Sequence, residues 1–150
     1  MSTEEEIALL ERLPILHPLG GGALRSLAIA AEIISLQPGE VLFTAGETAD
    51  AAYVVEWGSL TLKPQYGDEL IAGPGTLLGE AALFVETRRP VTATARESTA
   101  IMRIPRTTFL KVLDSYPDAA WRLRELIASR TDQWAHEMEN IRAALSGTLP

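Results

Sequence analysis

The sequence predicts a mainly β protein with flanking helices, and three observations indicate that class. Between residues 32 and 105, short apolar and β-branched runs alternate with glycine and proline turns, which is typical of a β-sandwich or barrel. On both sides of this region, apolar residues recur at helical spacing instead. With 150 residues, 47% of them hydrophobic, the chain is long enough to bury one domain core. We therefore predict N-terminal helices over 1–31, a β-region over 32–105 and C-terminal helices over 106–150.

The N-terminal region is predicted to hold two helices. Ser2 or Thr3 is suited to cap a helix over residues 3–11, and the glutamates that follow lie in its first turn, where the helix dipole favours negative charge. Three consecutive glycines at 20–22 predict a loop. A second helix is expected over residues 23–31, where leucines and alanines have helical spacing.

Turn residues divide the β-region into strands. The Pro-Gly pair at 38–39, Gly46, Gly58 and the Gly-Pro-Gly run at 73–75 each predict a tight turn. The runs between these turns are short and rich in β-branched residues, as strands are. The predicted strands cover residues 32–36, 41–43, 52–56, 59–63, 91–95 and 100–104, and an apolar run at 70–72 precedes the Gly-Pro-Gly turn.

Helical spacing returns after residue 105. A short helix is expected over residues 106–113, followed by a long helix over about 118–146. Pro117 suits the first turn of the long helix, and Gly147 suits its end.

The long helix carries an apolar seam with 4-3-4-3-4 spacing. Its members are Ile127, Thr131, Trp134, Met138, Ile141 and Leu145. Such a seam is typical of a helix that pairs with a second helix, and an isologous homodimer is the simplest closed assembly that provides one. The alternative is a single amphipathic helix that packs on its own domain.

Composition excludes several classes of function. A net charge of −7 disfavours direct nucleic-acid binding, and no apolar run approaches the roughly 20 residues that span a bilayer. There is no cysteine for a disulfide, a thiolate nucleophile or a zinc site, and the two histidines are far apart. The acidic N-terminus does not resemble a secretory signal, so we expect a cytoplasmic protein. We do not expect an enzyme, because there is no cysteine, the histidines are scattered and no serine has a plausible base nearby in a motif.

The run from Gly79 to Ala93 is the strongest candidate for a binding site. Gly79 permits a sharp turn, and one short helical turn over residues 80–85 would direct unpaired N–H groups toward an anion. Ten residues after Gly79, the planar fork of Arg89 suits a phosphate. The spacing can therefore place a carboxylate (Glu80), N–H groups and a guanidinium around one small anionic ligand.

This run resembles the phosphate-binding cassette of the cyclic nucleotide-binding domain family, commonly written G-E-x-A-L…R-x-A-T. The glycine turns that precede it and the helix that follows it have the order seen in the same family, over roughly residues 10–146. The resemblance implies an eight-stranded antiparallel β-roll of jelly-roll type. A cyclic nucleotide would be held inside the roll by a cassette at 79–92.

The resemblance also assigns roles by position. Glu80 matches the glutamate that binds the ribose hydroxyl and Arg89 the arginine that binds the phosphate, while Gly79 and Ala82 match positions of backbone support. Three apolar residues would either line the ligand site or belong to the hydrophobic core: Leu70, Ile71 and Leu83. The expected ligand-binding set is Gly79, Glu80, Ala81, Ala82, Arg89, Pro90, Val91, Leu70, Trp134 and Arg130.

Two members of that set lie on the long helix, which resembles the dimer helix of bacterial catabolite-activator-type regulators. Trp134 and Ala135 fall where those regulators use a Thr-Ser pair to contact adenine. Trp134 would either stack on the purine or belong to the dimer core. Arg130 falls where a basic residue approaches the site, so it would either pair with Glu80 or remain an exposed charge.

Pro90 departs from the family pattern. The residue after the arginine usually donates its backbone N–H to the cyclic phosphate, and proline has none. Such a bond to a charged acceptor is worth roughly 1.5–3 kcal/mol, or about one to two decades of affinity. Pro90 also lacks the hydroxyl that guanine-preferring members often carry there. The adjacent Arg88 is a second candidate for the inward guanidinium, although the spacing favours Arg89.

We therefore expect a regulatory module that binds a cyclic nucleotide, with cAMP favoured over cGMP, and that couples binding to a rearrangement of the C-terminal helix or dimer. The alternative is an interaction module of the same fold that binds no nucleotide and acts through its dimer or protein partners. No cofactor or metal is expected in either case, and neither membrane association nor direct DNA binding is expected.

Overall fold

The computed structural model describes residues 1–130. Predictions for the seam from Thr131 onward, and for Trp134 as a lid or dimer residue, lie outside the described residues. The described helices are α1 (Thr3–Glu11), α2 (Gly20–Ala30), α3 (Arg106–Ser115) and α4, which begins at 117 and is described as far as 130. Short 3-10 turns lie at His17–Leu19 and Glu80–Leu83.

The N-terminal helices differ from the prediction at one boundary. Ser2 caps α1, since its hydroxyl accepts a hydrogen bond of 3.2 Å from the Glu5 N–H, as expected. However, α2 begins at Gly20, so the loop predicted at 20–22 is wrong. Burial of Ala23, Leu24 and Leu27 in the core fixes this segment as helix despite the low helix propensity of glycine.

The β-region contains short antiparallel strands close to those predicted. They are β1 (Glu32–Leu36), β2 (Val41–Phe43), β3 (Thr48–Ala49), β4 (Ala51–Trp57), β5 (Leu60–Pro64), β6 (Leu70–Ala72), β7 (Leu77–Leu78), β8 (Thr87–Arg88), β9 (Val91–Ala95) and β10 (Thr99–Pro105).

These strands form a β-roll of two four-stranded sheets and one short pair. One sheet has the order β1-β10-β4-β7, the second β2-β9-β5-β6, and β3 pairs with β8. The predicted class, mainly β with flanking helices, is confirmed. The described residues contain ten strands where the family resemblance implied eight, partly because Thr48 and Ala49 form a two-residue strand opposite Arg88 and Thr87.

The central strand β4 separates two hydrophobic cores. All its residues from Ala51 to Glu56 are buried, because one face lies inside the roll and the other lies under the helices. Val54 packs with Leu10, Leu27 and Phe109 in the helical core, whereas neighbouring Val55 belongs to the core inside the roll. Glu56 is the one charged residue in this buried run.

The start of α4 is attached to the N-terminal helices. Ala119 and Leu123 are buried, and the Arg122 guanidinium donates hydrogen bonds to the carbonyls of Pro18 (2.6 Å) and Leu19 (2.9 Å). Leu123 therefore belongs to the helical core. Within residues 1–130, none of the helices has the length and apolar character needed to cross a membrane.

Candidate phosphate-binding turn

The candidate site is built around the turn between β7 and β8. Gly79 has φ 73°, a left-handed conformation that favours glycine, and the following four residues form the 3-10 turn Glu80–Leu83. Ala82 donates a backbone hydrogen bond of 3.0 Å to the Gly79 carbonyl, which closes the turn. Ala82 and Leu83 are buried, so the turn is anchored in the helical core.

The Arg89 side chain is buried behind this turn. Only 5% of Arg89 is exposed, and its guanidinium carbon lies 4.5 Å from the ring centroid of Phe43 and 5.0 Å from that of Tyr53. Nη2 donates a hydrogen bond of 2.8 Å to the Ala51 carbonyl. Nη1 is buried without a hydrogen-bond partner among the described residues. A buried cationic donor without a partner is uncommon in proteins and calls for an explanation.

Gly79 is held against the unpartnered end of Arg89. A Cβ atom at Gly79 would overlap Nη1 of Arg89, so the guanidinium lies directly behind the first residue of the turn. The main chain of Arg89 is also fixed, because its N–H donates to the Glu47 carbonyl and its carbonyl accepts from the Gly46 N–H, both at 2.8 Å.

The electrostatic environment of Arg89 combines opposing effects. Burial lowers the pKa of Arg89, while the neighbouring Tyr53, Asp50 and Glu47 act in the opposite direction. An arginine keeps its charge at neutral pH even so. The turn therefore has a fixed positive charge beneath it.

Glu80, the residue predicted to bind the ribose hydroxyl, lies on the other side of the turn. Its carboxylate forms an ion pair of 3.7 Å with Arg130 of α4, and both side chains are about half exposed. A cavity of about 390 Å³ adjoins this pair. It is lined by Ile15, Glu80, Ala81, Phe84, Val85, Ile127 and Arg130.

Arg89 lines a different cavity, of about 560 Å³. The other residues lining it are Ala45, Gly46, Lys63, Pro64, Gln65, Pro90 and Thr92. The structure therefore brings Arg89 to the Gly79 turn but does not bring the Glu80 and Arg89 side chains into one cavity. Pro90 is exposed and lines the Arg89 cavity. Val91 is half-buried and packs against the core inside the roll.

The remaining predicted positions are dispersed. Leu83 is fully buried and belongs to the helical core, whereas Leu70 and Ile71 on edge strand β6 are 65% and 61% exposed. Arg88 is exposed and donates a hydrogen bond of 2.9 Å to the Gly46 carbonyl, so the inward guanidinium is that of Arg89. Residues 1–130 contain no cluster of three or more histidine or acidic side chains suited to a metal ion.

Sequence reasoning missed a second unusual feature, a pair of buried carboxyl groups. Glu6 of α1 and Glu56 of β4 are 9% and 6% exposed. Burial raises the pKa of Glu56 to about 7, and a hydrogen bond and charge repulsion from Glu6 act in the same direction. The signal in the sequence was a glutamate within an otherwise apolar central strand.

The chain belongs to the cyclic nucleotide-binding domain family, whose pattern matches residues 33–116. A cyclic nucleotide-binding-like protein from Brucella abortus is 33% identical to it, with a TM-score of 0.68 over 73% of this chain and 98% of that one. The N-terminal domain of a transcriptional regulator from Streptomyces coelicolor is 27% identical, with a TM-score of 0.78 over 87% of this chain and 94% of that one.

The chain also matches a small part of much longer proteins. It is 31% identical over 106 residues to lysophospholipase NTE1 from Pyricularia oryzae, which covers 67% of this chain but only 7% of that protein. The activity in that protein's name is therefore not transferred to this chain. The fold of the described residues is that of a regulatory domain.

Proposed function

We propose that this domain binds a cyclic nucleotide, with cAMP favoured over cGMP, and uses binding to regulate an attached or associated partner. The observation that carries this proposal is the buried Nη1 of Arg89, which is held against the Gly79 turn without an acceptor. A cyclic phosphate at the turn would supply the acceptor and a compensating negative charge. Only a modest outward movement of the guanidinium would be needed, because Arg89 already lines a cavity.

The proposal extends to α4 through Glu80. A ribose hydroxyl bound to Glu80 would compete with Arg130, whose ion pair with Glu80 connects the turn to α4. Ligand binding would then favour a different position of α4, and the difference in affinity between the two positions would set the size of the response. Exposed ion pairs are worth less than about 1 kcal/mol, so this contact can be exchanged at low cost.

We also propose that the C-terminal helix mediates homodimerisation in the cytoplasm. Ile127, the first member of the apolar seam, is 36% exposed on α4. Sedimentation is expected to show a dimer that Trp134→Glu or Met138→Glu dissociates. A wild-type monomer would refute this part of the proposal and would leave the nucleotide site untouched.

A second function is favoured by specific observations. Pro90 cannot donate an N–H, Nη2 of Arg89 already binds the Ala51 carbonyl, and Glu80 already pairs with Arg130. These contacts suit a domain that uses the same fold as an interaction module and binds no nucleotide.

Calorimetric titration with cAMP and cGMP separates the two functions. We expect saturable heat with cAMP for the wild type and for Arg88→Ala, which removes the exposed neighbouring guanidinium. We expect a loss of binding of at least about tenfold for Arg89→Ala and for Glu80→Gln. Glu80→Gln is the more informative variant, because it retains the buried Arg89. Absence of heat from the wild type at millimolar nucleotide would leave the interaction module as the function.

A further inference from the structure

The Glu6–Glu56 pair lies at the junction of α1 and the roll. Glu6 belongs to α1, and Glu56 belongs to β4, the strand at the centre of both cores. Both side chains are more than nine-tenths buried. Burying two like charges together is strongly unfavourable, so such pairs retain a proton well above the pH at which a single carboxyl loses it.

The hydrogen bonding of Glu56 supports a retained proton. Its Oε1 atom is buried and has no hydrogen-bond partner among the described residues. Protonation of one carboxyl supplies the missing donor and allows a hydrogen bond between Glu6 and Glu56. The pair therefore has its hydrogen bond when it carries one proton, and it lacks that bond when both carboxyls are ionised.

The charged groups around the pair do not replace that proton. The α-amino group of Met1 acts on Glu56 in the opposite direction to Glu6, but more weakly. Glu5 of α1 and Arg12, which follows this helix, line an adjoining cavity of about 480 Å³ together with Glu56. The facing turn contributes only Pro74 and Gly75 to this cavity. The neighbouring residues of β10 and β7 that pair with β4 near Glu56 are apolar.

We infer that α1 is a pH-sensitive latch, which the single proton shared by Glu6 and Glu56 holds on the roll and which loosens when that proton is lost. The cavity beside the pair gives water a route to it. The ion pair between Glu4 of α1 and Arg25 of α2 is exposed and provides little attachment. Release of α1 would also uncover Leu10, which is fully buried in the helical core.

The sign of the effect follows from the protonation states. The docked helix keeps its proton up to about pH 7, whereas a released Glu56 ionises with its ordinary value of 4.5. Docking is therefore strongest at low pH, and it weakens as the pH rises from about 4.5 through 7. Between pH 5 and pH 8 the opening equilibrium of α1 should increase on the order of a hundredfold.

Hydrogen exchange tests this inference on the whole chain. Opening constants for peptides within residues 3–11 are measured between pH 5 and pH 8, corrected for intrinsic exchange, with β10 peptides as the internal reference. We expect the hundredfold increase in the wild type and in Glu11→Gln, which removes an exposed carboxylate from the same helix. We expect Glu56→Gln to be protected at all these pH values, since the amide cannot ionise.

A second variant and a direct titration test the inference even if Glu56→Gln fails to fold. Glu6→Gln removes the charge that repels Glu56, so it should also reduce the pH dependence of α1 opening. Carboxyl ¹³C resonances of wild-type Glu56 should titrate near pH 7. Titration of Glu56 below pH 5, or the same pH course of α1 exchange in wild type and in both glutamine variants, would overturn the latch.

Discussion

The Arg89 guanidinium lies directly against Gly79, so that a single methyl group on the glycine would overlap Nη1. The left-handed backbone of Gly79 thus serves two purposes, since it starts the 3-10 turn and leaves room for a buried cation. The proposed phosphate site depends on this relationship more than on any other contact.

Gly79→Ala is expected to destabilise the protein and to weaken nucleotide binding. The substitution forces an alanine into a left-handed conformation, which costs about 1–2 kcal/mol, and it displaces Arg89 in addition. Gly39→Ala is the matched control, because Gly39 has φ 89° but no atom near the position of a Cβ. Urea unfolding should show a larger loss for Gly79→Ala, and equal losses would mean that Arg89 adapts freely.

Arg89→Ala is expected to lower the free energy of unfolding by about 2–4 kcal/mol. The variant leaves the Ala51 carbonyl without its donor and removes the contacts with Phe43 and Tyr53. Arg88→Ala should change stability by no more than about 0.5 kcal/mol, since Arg88 is exposed. Chemical denaturation measures both values, and similar effects of the two variants would contradict a packed role for Arg89.

Pro90→Ala is expected to strengthen cAMP binding by roughly ten- to a hundredfold. It restores a backbone N–H next to the phosphate site, and a hydrogen bond to a charged acceptor is worth about 1.5–3 kcal/mol. Pro64→Ala is a suitable control, because Pro64 lines the same cavity. Calorimetry would reject this role for Pro90 if both variants bound cAMP as the wild type does.

Glu56→Gln is expected to stabilise the protein at alkaline pH. The pKa of Glu56 is raised from 4.5 to about 7, so the penalty for its ionisation develops as the pH rises through this window and is absent below it. The gain should reach on the order of 3 kcal/mol at pH 8 and nearly vanish at pH 4. Urea midpoints at the two pH values give the comparison, and a gain that did not depend on pH would indicate a packing effect.

Much of the fold could be predicted because its signals are local. Glycine and proline turns mark the strand ends, and helical spacing marks both flanks. The pair β3 and β8 could not be predicted, because two residues show no period and their pairing joins Thr48 to Arg88 across the chain. The start of α2 was missed because core burial outweighed the preference of three glycines.

For the candidate site, the sequence predicted a set of residues but not how the fold arranges them. Spacing distinguished Arg89 from Arg88, yet it gave no indication that Arg89 would be buried between Phe43 and Tyr53. The pairing of Glu6 with Glu56 depends on how α1 docks on β4, and the sequence alone indicates only a helix start and a strand. Long-range packing therefore decides which charges are buried.

The most direct test of the central claim observes the Arg89 guanidinium itself during addition of cAMP. In protein labelled with ¹⁵N-arginine, the side-chain resonances of Arg89 should shift saturably as Nη1 gains a phosphate acceptor, while those of Arg88 remain in place. Inorganic phosphate at the same concentration should have little effect. Unchanged Arg89 resonances at millimolar cAMP would contradict a phosphate site at the Gly79 turn.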